Sequence, residues 1–155
     1  MTMKKQFLIL LVTLCAATTF AQTAAKRVRE FNLENKVAIH GYDPVAYFKK
    51  NKAVKGTVGV SLIYEGVIYY FSTPANKDVF IKNPVSFEPQ FGGWCAYAMG
   101  SSAEKVEVDP NTFKIIDGKL YLFYNAYFNN TLKSWNKDEV NLKAKAENNW
   151  KKIIK

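Results

Sequence analysis

The chain has 155 residues, with 22 Lys+Arg against 13 Asp+Glu for a net charge of +9, and 48% of its residues are hydrophobic. That length and apolar content suit one domain with its own core and exclude an intrinsically disordered chain. There is no arginine cluster and no nucleic-acid-binding motif, so the basic balance does not point to DNA or RNA.

The chain opens Met1-Thr2-Met3-Lys4-Lys5, runs apolar from Phe7 to Cys15, and reaches Thr19-Phe20-Ala21. A charged start, a short apolar centre and a small-x-small end predict a secretory signal peptide over residues 1–21, cleaved after Ala21. The apolar run falls short of the roughly 20 residues that cross a bilayer. Leu14 stands where a lipobox before Cys15 needs a small residue, which argues against lipidation. The expected location is periplasmic or extracellular. Loss of Lys4 and Lys5 lowers the charge from +9 to +7 over the remaining 134 residues (155 − 21). Such an excess favours anionic surfaces, although the lysines near Lys49–Lys55 and Lys133–Lys155 also read as ordinary solvated faces.

Residues 22–35 are polar without clear periodicity and read as a tether to a domain over 36–155. Asp43-Pro44 marks a turn. Val60–Tyr64 and Val67–Phe71 are β-prone runs around Glu65-Gly66, which predicts a hairpin. Ser72 or Thr73 caps a helix with Pro74 at its first position, running to about Lys82 before Asn83-Pro84. A short apolar helix or turn over Trp94–Met99 follows Gly92-Gly93. Phe113–Ile116 and Lys119–Tyr124 flank Asp117-Gly118 and predict a second hairpin. Ala126–Trp135 reads as one helix. In Asp138–Ile154, Leu142, Ala146, Trp150 and Ile153 recur on one helical face. The expectation is an α+β fold: a single small domain with two β-hairpins and short helices, its C-terminal amphipathic helix packed on the sheet. No internal repeat is evident beyond the two hairpins.

Cleavage would leave Cys95 as the one cysteine, which cannot form an internal disulfide. Cys95 follows two glycines and opens a short helix, whose free N–H groups would favour a thiolate. Burial among Trp94, Tyr97 and Phe91 is the plainer reading. His40 is the single histidine. With Cys95 it could make a base–nucleophile pair or two metal ligands, given proximity. Tyr42-Asp43-Pro44 reads as a turn, with the Asp43 carboxylate accepting backbone N–H groups. If Cys95 is a site, it is expected in a pocket between the Tyr42-Asp43 turn and the Gly92-Gly93 loop.

The segments His40-Gly-Tyr-Asp-Pro-Val-Ala-Tyr-Phe48, Tyr64-Glu-Gly-Val-Ile-Tyr-Tyr-Phe-Ser72, Asn83-Pro84 and Gly92-Gly-Trp-Cys-Ala-Tyr-Ala98 resemble the exported, stand-alone branch of the YHS-domain family. The family is related to small heavy-metal-binding modules. On that resemblance, the thiolate ligands of metal-binding relatives fall on Ala46, Ser72 and Asn76, and the eponymous histidine falls on Glu65. None of these is a soft-metal ligand, so the resemblance implies the fold more than the metal. The expected function is a non-enzymatic module for a small ligand or metal, with Cys95, His40, Asp43 and Tyr42 as candidate contacts and no catalytic residue assigned. A metal ion is left open as cofactor. The alternatives are a thiol-dependent enzyme using Cys95 and a purely structural or interaction domain.

Overall fold

The computed structural model describes residues 23–155. The expected signal peptide and its cleavage point lie outside the described residues. The α+β expectation holds: short helices alternate with two hairpins.

Helix α1 covers residues 23–30, where the sequence suggested a tether. Arg27 is the chief link, beside bonds from Trp94 and Lys105 to Glu30. Arg27 is buried, stacks 4.6 Å from the Phe31 ring and pairs with both Glu65 and Glu88. Tyr69 donates its hydroxyl to the same Glu88. An arginine desolvated this way is held by carboxylates on distant segments, and it docks α1 onto the first hairpin.

Strands β1 (Leu33–Glu34) and β2 (Val37–Ala38) lead into a left-handed turn at Ile39–Gly41 and helix α2 (Pro44–Lys50). Strands β3 (Thr57–Tyr64) and β4 (Val67–Phe71) form the first hairpin about Glu65-Gly66, and β2 adds to β4 in parallel. Thr73 caps helix α3 (Pro74–Lys82), as expected, accepting from the Asn76 N–H at 3.1 Å. A second left-handed turn at Gln90–Gly93 precedes helix α4 (Ala96–Ser101). Strands β5 (Asp109–Ile116) and β6 (Lys119–Phe123) form the second hairpin about Asp117-Gly118.

The predicted helix over Ala126–Trp135 is replaced in its first half by a miniature hairpin. Strands β7 (Asn125–Ala126) and β8 (Asn129–Asn130) pair across Tyr127-Phe128. Only Thr131–Trp135 is helical, α5, capped by the Asn130 carboxamide. A strong Asx cap restarts the helix there and competes with a continuous one. Helix α6 (Glu139–Ile153) buries Leu142 and Ala146 as its face predicts, while Trp150 is only partly covered. It packs mainly on α4, rather than on the sheet as expected, because the small residues of α4 admit its backbone closely; Tyr121 and Phe123 of β6 share its apolar cluster. A Cβ on Gly100 would lie 2.5 Å from the Leu142 carbonyl oxygen, so only glycine permits this approach of α4 to α6.

The fold also contains a repeat that the sequence did not reveal. Moving 52 positions along the chain (95 − 43) carries one half onto the other. Ile39, His40 and Gly41 have positive φ, and so do Phe91, Gly92 and Gly93. The Asp43 N–H donates to Val54 O at 2.9 Å, and the Cys95 N–H to Val106 O at 2.9 Å. The pairs Thr57↔Phe71, Ser61↔Tyr70 and Tyr64↔Val67 recur as Asp109↔Phe123, Phe113↔Leu122 and Ile116↔Lys119, with the same bulge in the first strand. The parallel bridge Val37↔Ile68 recurs as Pro89↔Leu120. The halves interlock where Tyr47 of α2 donates its hydroxyl to Pro110 O in the second bulge, at 2.9 Å.

Candidate functional site

Asp43 and Cys95 are counterparts in this repeat, each the residue that starts a helix. In the first half the Asp43 carboxylate is fully buried and meets five donors. They are the N–H groups of Val45 and Ala46 (2.9 and 3.3 Å), the N–H and hydroxyl of Ser72 (2.8 and 2.6 Å), and the Asn76 carboxamide (2.7 Å). Ala46, Ser72 and Asn76 thus converge on a carboxylate whose accepting capacity is filled.

In the second half Cys95 is also fully buried. Its Sγ accepts from the Tyr124 N–H at 3.4 Å, the counterpart of the Ser72 bond, and lies 3.4 Å from the Thr131 hydroxyl. The chain after Tyr124 enters the β7–β8 hairpin where the first half continues into α3. Over Cys95 lies an open cleft of about 380 Å³. Tyr97, Val106 and Tyr124 form its apolar sides, Thr131 and Cys95 its floor, and Ser102 with Glu104 part of its rim. Ser102 donates to Glu104 at 3.0 Å. The volume suits a small molecule.

The sequence-derived candidates therefore separate. Asp43 is sealed inside its own network. Tyr42 packs against the core, with Lys55 Nζ 4.4 Å from its ring centre. His40 Nε2 lies 3.3 Å from a Glu107 carboxylate oxygen, without the alignment of a hydrogen bond. The partners of Cys95 are Thr131 and Tyr124, so the structure supplies His40 to Glu107 and not to the thiol. The pocket expected between the Tyr42-Asp43 turn and the Gly92-Gly93 loop is lined instead by α4 and its following segment, Tyr124, and the 129–131 corner. Both segments looked like sites because they are one motif repeated. Thr131 and Tyr124, which complete the cleft, lie outside the segments that carry the family resemblance and become neighbours of Cys95 only through the second hairpin; the Asn129-Asn130-Thr131 glycosylation sequon does not point to the cleft.

Among the described residues no group of three or more His, Cys, Asp or Glu side chains could hold a metal ion. One thiol, one rim carboxylate and hydroxyls do not make a soft-metal donor set. No protein-family model, curated protein or solved structure matches this chain.

Proposed function

We propose that the chain is an exported, non-enzymatic module of YHS type that binds a small organic ligand in the cleft over Cys95. The observation that carries this reading is the broken repeat. The first half closes over its helix-start residue with Ser72 and Asn76, whereas the second leaves about 380 Å³ open above the equivalent residue. Two phenol rings and Val106 favour a planar apolar body, and the Glu104 carboxylate favours a hydrogen-bond donor or a cationic group at the rim. Support for the family resemblance comes from Ala46, Ser72 and Asn76, the positions it assigns to ligands, meeting at one carboxylate.

The test is protein-observed NMR with phenol and benzamidine as neutral and cationic probes. Binding should shift the resonances of Tyr97, Tyr124 and Thr131, more strongly for benzamidine. It should vanish in Ser101→Trp, which overhangs the cleft from an exposed position. Resonances that stay still with both probes, or move equally in the variant, would remove the reading.

A second reading, a purely structural domain, draws on one observation: Cys95 stands where Asp43 is a structural tie and makes the same bond to the strand end. Under it, Cys95→Asp preserves folding and no probe binds.

A further inference from the structure

The β7–β8 hairpin ends in a two-residue turn made of Tyr127 and Phe128. Their φ angles are 50° and 64°, the left-handed pair of a turn that ordinarily carries Asn-Gly. Aromatic residues adopt this backbone unfavourably. Neither ring is packed among the described residues: Tyr127 is 92% exposed and Phe128 112% exposed. Two adjacent aromatic rings are thus raised on a strained tip and offered outward. The residues behind them, Asn125, Asn129 and Asn130, are polar. The next exposed charges along the chain are Lys133 and Lys137, and neither pairs with a carboxylate among the described residues. Of the acids in the surrounding segments, Asp109 accepts from Asn111 and Thr112, Asp138 accepts from Asn141, and Glu104, which lines the cleft together with Asn129, accepts from Ser102.

We propose that this tip is a membrane-surface anchor, in which Tyr127 and Phe128 enter the headgroup region of an anionic bilayer while Lys133 and Lys137 meet its phosphates. Aromatic side chains with a polar rim settle at the level of lipid headgroups. Exposed basic side chains a few positions further along the chain add attraction to anionic lipid. The mature chain's net charge of +7 (+9 less Lys4 and Lys5) works in the same direction and against a second, equally basic copy as the occupant. Two side chains reach only the interface. No described helix is long and apolar enough to cross a membrane, so attachment through the tip is shallow, reversible and dependent on salt. The proposal stands apart from the ligand reading, since neither tip residue lines the cleft.

The experiment is flotation of the mature chain with phosphatidylcholine vesicles containing 30% phosphatidylglycerol, alongside vesicles of phosphatidylcholine alone. The key variant is Tyr127→Asn with Phe128→Gly, which installs the residues the turn prefers and so leaves the fold as stable or more stable. The proposal expects binding to the anionic vesicles only. It expects the double variant to bind about tenfold less or weaker, in line with the apolar area withdrawn, with its melting temperature unchanged or raised. Lys133→Gln with Lys137→Gln should weaken binding and flatten its salt dependence. Absent wild-type binding, or undiminished binding by the turn variant, overturns the proposal. So does concentration-dependent self-association that the turn variant abolishes without vesicle binding, which would assign the tip to a second copy.

Discussion

Asp43 and Cys95 occupy the same point of the same backbone turn in the two halves of the molecule, and each accepts the N–H of the residue that ends its hairpin, Ser72 at 2.8 Å and Tyr124 at 3.4 Å. The backbone geometry is shared, but the chemistry is not. A carboxylate with five donors locks one half. A thiol with one backbone donor and one hydroxyl neighbour closes the other loosely.

That difference predicts unequal costs. Asp43→Ala strands buried donors and should destabilise the fold by about 3–5 kcal/mol. Cys95→Ala removes a smaller, weakly bonded group and should cost about 1–2 kcal/mol. Urea unfolding of the two variants measures both. Equal costs would mean that the second half depends on its tie as much as the first.

The tryptophans should rank in the order of their burial. Trp135 is fully buried and donates its indole N–H to Glu139 at 2.9 Å. Trp150 lies partly exposed with its ring centre 5.9 Å from that of Phe31. Trp135→Ala should cost about 3–5 kcal/mol, and Trp150→Ala clearly less. The opposite order in denaturant melts would place the weight of the second core at its edge.

Gly100→Ala adds a single methyl group where 2.5 Å separates its position from the Leu142 carbonyl oxygen. Overpacking against backbone should cost about 1–3 kcal/mol. In an exposed helix the same change would stabilise by roughly 1 kcal/mol. The sign of the change in melting temperature decides whether α4 and α6 touch as described.

Alkaline pH should unfold the protein through its tyrosines. Burial raises the pKa of Tyr69, with Glu88 adding to the shift, and burial also raises Tyr47 and Tyr121. Folded-state values above the unfolded value of 10.0 give a contribution that is fully present below pH 10 and lost as pH rises beyond it. Absorbance titration should therefore show the exposed tyrosines ionising first and these three only as the fold is lost. The acid limb has the opposite sign. Burial works against Asp109, but bonds from Asn111, Thr112 and Asn125 outweigh it and lower its pKa. Its contribution is present above pH 3.8 and falls away as pH drops below that value.

The legible parts of the fold were those with local signals. Glu65-Gly66 and Asp117-Gly118 between β-prone runs announced both hairpins, Thr73-Pro74 announced α3, and the spacing of Leu142 and Ala146 gave the inward face of α6. What escaped depended on distant partners. Arg27 looks solvent-facing until Glu65 and Glu88 are brought to it, so α1 read as a tether. Tyr127-Phe128 lacks the glycine or asparagine that marks a tight turn, so the small hairpin read as helix. The repeat is carried by φ signs and bulge register, with non-glycine residues such as Ile39 and Phe91 in left-handed backbone. Its identical pairs, among them Ala46 with Ala98, Gly66 with Gly118 and Tyr69 with Tyr121, are too scattered to notice without that geometry. Cys95 was visible as a candidate, but its cleft was not, because Thr131 reaches it only through tertiary structure.

Two halves finished so differently should not breathe together. The amide of Ser72, bonded to a buried carboxylate, should exchange its hydrogen only with global unfolding. The amide of Tyr124, bonded to a thiol beneath an open cleft, should exchange sooner, through smaller, local excursions. On that expectation the first half is the firmer foundation and the end around the cleft the more yielding one. Small sequence changes around residues 124–131 can reshape that end without disturbing the foundation on which it is built.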